Sequence, residues 1–340
     1  MPTINTGLGP NAAEIYYEVH GDAETGDKVA TSMQDPRPCL VMIMGFAASM
    51  NGWGPQMDDL LSPRDEHGRA PVRLLLVDNR GVGRSSSPLA RSAYTTAIMA
   101  ADTLQIMERL GWRRVHVVGH SMGAMIACKL AARAPDLVVS LTLISVTGGG
   151  WQSVPRSFKA LKLAVLGMRA HTPEDRAKVD LRFHFTDKTL NEVDRRWGRT
   201  RHSLLHEEYV EGSKGGGIGQ PDHGFKGQLH AIWHHSLSDA ECACIEAAPF
   251  PALVIHGRHD ILAMPHFGEQ LAQRMGCTCI MLEGAHFVCR ERGVEVNLLL
   301  HQMIFRLPDV NRNPLRFLDR RSEIVQPFLN PECGEAALLT

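Results

Sequence analysis

Gly119-His120-Ser121-Met122-Gly123 sets a serine between two glycines, each two residues away, and the flanking residues decide what that spacing can do. Upstream, Val115-His116-Val117-Val118 is rich in β-branched residues; downstream, Ala124-Met125-Ile126-Ala127 is small and apolar. The pattern predicts a strand, a sharp turn and a helix. A serine at the apex of such a turn sits in strained backbone, so its neighbours two residues away must be small. The strain lifts Oγ clear of the fold, and the following helix aims its amide N–H groups at the same spot. A chance Gly-x-Ser-x-Gly in a loop would lack this order of elements.

A serine hydroxyl at its ordinary pKa is a poor nucleophile, so the motif needs a base and a group to orient the base. In an open parallel sheet such groups gather at the carboxyl ends of strands. Two strand ends after Ser121 offer them. Asp260 lies four residues beyond an apolar run ending at His256, and His286 lies four residues beyond another ending at Leu282. The order serine, aspartate, histidine fits this elbow chemistry. His286 would take the Ser121 proton and later deliver it to the leaving group, while Asp260 would hold the imidazole tautomer. Taken singly, an aspartate after His256-Gly257-Arg258-His259 reads as a turn residue and a loop histidine as structural; it is their joint placement that carries the reading. His256 and His259 compete for the role of base but share the acid's own turn, and His120 reads as a packing or site-wall residue. The developing oxyanion needs two donors. These are the Met122 N–H and, from the loop Gly45-Phe46-Ala47-Ala48-Ser49, the Phe46 N–H, with Ala47 as the alternative in register.

The elements that must position these residues are also legible. Apolar runs at 39–44, 72–78, 115–120, 141–146, 251–256 and 277–282 predict strands buried on both faces, and 14–20 predicts another strand. Helices are expected at 53–61, 96–110, 122–133, 265–275 and 293–305. The alternation implies an α/β fold, a mostly parallel central sheet with helices on both faces. The rhythm breaks between Trp151 and about His235, where charge, aromatics and histidine rise. Helices at 153–168 and 188–197 and a glycine-rich loop at 212–219 are expected there. The domain reading is a core of 12–150 and 236–306, a helical cap inserted at 151–235, and an irregular tail at 307–340. Residues 22–37 read as a surface loop.

With these residues in place, the chain resembles the α/β-hydrolase superfamily over about residues 12–306. The resemblance rests on the Gly119–Gly123 elbow, the Asp78-Asn79-Arg80-Gly81-Val82-Gly83-Arg84-Ser85 turn, the turn ending at Asp260 and the Gly284-Ala285-His286 ending. One departure is Met44-Gly45 where family members often carry His-Gly; the donor is a backbone N–H, so the departure bears on loop register rather than chemistry. In that family the 78–85 turn is chiefly structural, which fits its two glycines. The resemblance implies a serine hydrolase cleaving a carboxylic ester, small or lipid-like, or a lactone, through an acyl-enzyme and without a cofactor. A carbon–carbon bond hydrolase or a thioesterase would use the same residues. Epoxide hydrolases and haloalkane dehalogenases carry an aspartate where Ser121 stands and are disfavoured. A reading of another class is a small-molecule receptor of slow turnover on the same fold. The cap would supply specificity, with Trp151 and Trp233 as substrate-binding candidates. Together with Phe158, Phe183, Phe185 and Trp197 they could instead be cap core.

Composition bounds the partners. The 340 residues carry a net charge of −1 and a pI near 7.0, which points to neither nucleic acid nor an anionic membrane surface. No apolar run reaches the length of a membrane-spanning helix, and neither end reads as a targeting signal, so a cytoplasmic location and a small-molecule substrate are the expectations; the oligomeric state stays open. Eight cysteines and seventeen histidines fall in no metal-ligand spacing. The Cys242/Cys244 and Cys277/Cys279 pairs would share a face if they lay in strands, but reduced thiols without a metal are expected.

Overall fold

The structure, a computed structural model, describes residues 2–7, 9–21, 36–62, 71–214 and 220–305. Eight strands form one sheet: β1 (Thr3–Thr6), β2 (Ala13–His20), β3 (Cys39–Ile43), β4 (Arg73–Val77), β5 (Val115–His120), β6 (Val138–Ile144), β7 (Ala252–Gly257) and β8 (Thr278–Leu282), in the order β1-β2-β4-β3-β5-β6-β7-β8. β1 and β2 pair antiparallel with each other, and β2 antiparallel with β4. From β4 to β8 every pairing is parallel. The carboxyl ends of these strands therefore share one edge of the sheet.

The continuous apolar runs are explained by burial on both sides. Along β3 and β4, Val41, Ile43, Leu75 and Val77 face one core, while Leu40, Met42, Leu74 and Leu76 face the other. The first core is closed by α2 (Thr96–Arg109), α3 (Met122–Arg133), α9 (Asp239–Ala247) and α10 (Pro265–Arg274). The second is closed by α1 (Gly54–Leu60), α11 (Val288–Glu291) and α12 (Gly293–Phe305). Helix ends follow their caps. The Thr95 hydroxyl accepts from the Ile98 N–H at the start of α2, and Gly111 takes a φ of 69° just beyond its end.

Several expected boundaries move for identifiable reasons. The helix expected at 53–61 begins as a 3₁₀ turn, Met50–Trp53, and becomes α1 at Gly54 with Pro55 in its first turn. β6 starts at Val138, three residues early, because Val138 and Ser140 pair with Val115 and His116. β1 was not foreseen: four residues, three of them polar, carry no buried-strand pattern.

Between β6 and β7 the chain leaves the sheet and forms α4 (Phe158–Met168), α5 (Pro173–His184), α6 (Asp187–Asn191), α7 (Arg201–Lys214), α8 (Asp222–Trp233) and then α9. The helix expected from 153 starts only at Phe158, where the Ser157 hydroxyl accepts the Ala160 N–H. The helix expected at 188–197 is a correction. α6 stops at Asn191, because Asp194 Oδ1 accepts the Arg196 and Trp197 N–H groups and turns the chain back, so that Val193 bridges Thr200. Of the glycine-rich stretch 212–219, the first three residues finish α7, and 215–219 lie outside the described residues. The tail at 307–340 and most of the 22–37 stretch lie outside them too. Cys242 and Cys244 sit on α9, not in a strand, so two-residue spacing puts them on different faces. No described helix is long and apolar enough to cross a membrane. No group of three or more His, Cys, Asp or Glu among the described residues could hold a metal ion.

Candidate active site

Ser121 sits between β5 and α3 with φ 54° and ψ −119°, a conformation that costs a non-glycine residue energy and is held by its surroundings. Its N–H donates to the Ile144 carbonyl of the neighbouring strand at 2.8 Å. The flanking glycines are sterically required. A Cβ on Gly123 would lie 2.0 Å from the Ile43 carbonyl oxygen, and one on Gly119 would lie 2.4 Å from the Gly123 oxygen. α3 opens at Met122, and the first N–H groups of a helix have no intrahelical acceptor. They project from the end where Ser121 stands.

The other two strand-end residues come to the same place. His286 Nε2 is 3.0 Å from Ser121 Oγ, and His286 Nδ1 is 2.8 Å from Asp260 Oδ2. The second oxygen of Asp260 accepts the N–H groups of Leu262 and Ala263 at 2.8 and 2.9 Å. Asp260 is fully enclosed. Burial alone would push its carboxyl up, but the charge of His286 and the hydrogen bonds from His256 and His286 outweigh that and hold it well below the ordinary range. The carboxylate is therefore held in its ionised form, and as an acceptor it favours the His286 proton on Nδ1. Nε2 is then left with its lone pair toward Ser121, the arrangement of a base on a nucleophile.

His286 is anchored through its backbone as well as its ring. Its carbonyl accepts from Ser145 Oγ at 2.8 Å and from His120 Nε2 at 3.0 Å. Ser145 has a φ of 52° directly after β6. The Ala285 N–H donates to Glu291 Oε2, and the Phe287 N–H donates to the His184 carbonyl of α5. His120 and His184 flank the His286 ring at centroid distances of 5.1 and 6.1 Å. Burial, and then the proximity of His286, lower the pKa of each to about 3. Both stay neutral at ordinary pH, which suits His120 as the wall residue expected. Ser145 and His184 had no signal in the sequence: one serine after a strand and one histidine in a helix fit no spacing rule. His256 and His259 are not placed as the base, since His256 binds the Ala263 carbonyl and Asp260 while exposed His259 pairs with Glu283.

The loop after β3 is held from below by the 78–85 turn. Asp78 Oδ1 accepts the Met50 N–H, Asp78 Oδ2 accepts the Arg84 N–H, and the Asn79 amide donates to the Met44 carbonyl. Arg80, with no exposed surface, makes a two-point ion pair with Asp102 at 2.7 and 2.8 Å. These contacts give the turn a bracing role. Of the two donors considered in that loop, the Ala47 N–H is already given to Gln228 Oε1 at 2.9 Å, which sets it apart from the Phe46 N–H.

Ser121, His286 and Phe46 open into a cavity of about 530 Å³. Its lining includes the apolar Met125, Leu229, Ile232, Leu262 and Phe183. It also carries two ion pairs, Arg176–Asp180 and Arg290–Glu208, and the His184–Tyr209 hydrogen bond. The aromatic candidates divide. Phe183 lines the cavity, Phe185 is buried in the second core, and Phe158 and Trp197 are exposed. Trp151 and Trp233 do not line it, which corrects the expectation. Each is 55% exposed; Trp151 packs edge-on against Phe267 under Arg156, and Trp233 borders an adjoining surface groove that shares Leu229 and Ile232 with the cavity.

Known proteins place this chain in context. RutD of Variovorax paradoxus, a protein named for carbamate hydrolysis, is 34% identical over 160 residues, 46% of this chain and 52% of its own length. The chain thus spans about half that relative's length, and 42% of the length of RutD from a Caulobacter strain at 32% identity. The RutD of Rhizobium rhizogenes aligns over 91% of this chain and its own full length at 24% identity. Among solved structures, the enol-lactonase of Burkholderia xenovorans superimposes with a TM-score of 0.65 at 23% identity, covering 86% of this chain and 97% of that one. A thermophilic esterase of Thermogutta terrifontis gives 0.63 at 18%, covering 90% and 99%. At these identities the superpositions speak for the fold. Residues 38–292, well over half of the chain, match the alpha/beta hydrolase fold family, and the chain belongs to that family.

Proposed function

We propose that the protein is a serine hydrolase that cleaves a compact carboxylic ester or lactone through an acyl-enzyme. Ser121 Oγ bonds to the substrate carbonyl carbon as His286 Nε2 takes its proton. The carbonyl electrons move onto oxygen, where the Phe46 and Met122 N–H groups receive the negative charge. The tetrahedral intermediate collapses, the ester C–O bond breaks, and the alcohol leaves with the proton from His286. Water, deprotonated by His286, then attacks the acyl-enzyme and releases the acid and Ser121. The observation that carries this reading is the unbroken line Asp260–His286–Ser121 at 2.8 and 3.0 Å, ending on a serine in strained backbone. Asp260 keeps its charge throughout and stabilises the imidazolium that forms at His286.

The cavity wall supports a compact substrate with a polar end over a long lipid chain. A volume of about 530 Å³ suits a small molecule. An alkyl chain laid along Arg176, Asp180, Glu208 and Arg290 would strip water from charged groups without replacing it, which costs more than its burial returns. A second reading, hydrolysis of a carbamate, is favoured by the RutD relatives; the same residues would act on its carbonyl, with the nitrogen toward the charged side chains. The test is a panel of p-nitrophenyl esters of rising acyl length, lactones and alkyl carbamates, with Ser121→Ala as blank. Turnover that falls beyond short acyl chains and disappears in the blank is expected. A preference that climbs steadily to long chains overturns the compact substrate, and equal rates in the blank overturn the serine mechanism.

A further inference from the structure

Helix α8 is seated on the core more closely than side chains would allow. A Cβ on Gly224 would lie 2.4 Å from the Gly81 carbonyl oxygen, and one on Gly227 would lie 2.4 Å from the Tyr94 ring. His230 Nδ1 adds a hydrogen bond to the Tyr94 carbonyl. This close approach brings Gln228, which has no exposed surface, down to the two loops that flank Ser121. Its Oε1 accepts the Ala47 N–H at 2.9 Å, and its Nε2 donates to the Arg80 carbonyl at 3.0 Å. One backbone donor and one backbone acceptor fix which way the amide points. Gln220 Nε2 supplies a further hydrogen bond to Oε1 at 2.8 Å. Three residues earlier on the same face, Phe225 packs its ring 4.8 Å from that of Phe46. α8 therefore holds Phe46 by its side chain and Ala47 by its backbone.

The grip matters because Ala47 has a φ of 56°, the left-handed region that alanine avoids unless something holds it there. Turning the Ala47 N–H toward Gln228 orients the peptide unit between Phe46 and Ala47 and sets the register in which the Phe46 N–H serves the reacting carbonyl. We propose that Gln228 is a positioning residue for the oxyanion site: a side chain from the helical excursion that fixes the loop amide on which the reaction's charge develops. This rests on the serine-hydrolase reading above. It also means that this part of the excursion acts on the chemical step, while the wall built from α5 and α7 acts on substrate choice.

The experiment compares the wild type, Gln228→Met and Phe225→Leu on a short activated p-nitrophenyl ester, with a boronic acid as an analogue of the tetrahedral intermediate and the carboxylic acid product as a ground-state ligand. Gln228→Met keeps the volume but neither hydrogen bond. A displaced oxyanion donor should lower kcat by about 10- to 100-fold, leave KM within about threefold, and weaken the boronic acid by the same factor as kcat while product inhibition holds. Phe225→Leu leaves no polar group unpaired and should show the same split at a smaller size; it decides the matter if Gln228→Met fails to fold. A structural role alone would lower the amount of active enzyme without changing boronic acid affinity, and that result, or a change confined to KM, overturns the proposal. A wild type without Ser121-dependent turnover would instead overturn the hydrolase reading on which it rests.

Discussion

The sheet edge and the helical excursion both line the cavity at Ser121, but they contribute by different physics. On the sheet edge the Ser121 elbow is fixed by close backbone packing, and Asp260 and His286 by several hydrogen bonds each. Gly123 approaches the Ile43 carbonyl so closely that a methyl group would overlap it, and Ser121, Asp260 and His286 each follow directly on a strand or its turn. In the excursion, contributions come from single contacts made over long sequence separations. The His184 carbonyl holds the Phe287 N–H, and Gln228 holds Ala47 from 181 residues away. The difference teaches where the molecule should be robust. Core substitutions should abolish the reaction as a unit, whereas excursion substitutions should divide according to which loop or wall each residue reaches.

The largest expected effects break the core. Ser121→Ala and His286→Ala should each lower kcat on the order of a millionfold, and the double variant should lose little more than either. Asp260→Asn should cost roughly 10⁴-fold, through loss of the tautomer it fixes. Independent multiplication of the two large losses in a kcat series would show that Ser121 and His286 do not act together.

Acid sharpens the comparison next, because buried imidazoles lie in both regions. His120 ends β5, while His184 ends α5 and His235 follows α8, where its Nδ1 meets Thr96 Oγ1 at 2.8 Å. Burial lowers all three pKa values to about 3 from an ordinary 6.5. Between those values the unfolded chain binds more protons than the folded one, so stability rises with pH across that window and is lost on acidification. The three groups together should contribute about 4 kcal/mol per pH unit once the pH is well below 6.5. Urea unfolding at pH 7, 6 and 5 checks this; His235→Gln should lower the slope by about a third, and a flat midpoint across the series contradicts it. The smallest effect lies outside both regions' cavity faces. Trp151→Ala and Trp233→Ala should leave kcat and acyl-length preference within about twofold, and a clear change in preference would return those residues to the site.

How far the molecule could be read from its sequence follows the same division. Ser121, Asp260 and His286 were legible because strand ends converge on one edge of a parallel sheet, so sequence order and spacing translate into proximity. The Phe46 and Ala47 amides could not be separated, since the hydrogen bond that distinguishes them comes from Gln228, a residue with no spacing relation to the loop. α6 was read as too long because Asp194 can satisfy either a helix or a turn, and the Val193–Thr200 bridge that closes the turn is a local backbone pairing without an apolar repeat. Trp151, on a 3₁₀ turn, and Trp233, the last residue of α8, were substrate-binding candidates as aromatics of the inserted segment, and residue type alone does not say which way such a side chain faces. β1 escaped because an edge strand needs no apolar repeat.

The proposed reaction requires that Ser121, out of all the serines in the chain, be made nucleophilic by His286. A fluorophosphonate probe applied to folded protein at neutral pH, followed by peptide mapping, tests it most directly. One adduct is expected, on Ser121, lost on unfolding and lost in His286→Ala with the fold intact. An adduct on a different serine, or undiminished labelling of Ser121 without His286, would contradict it.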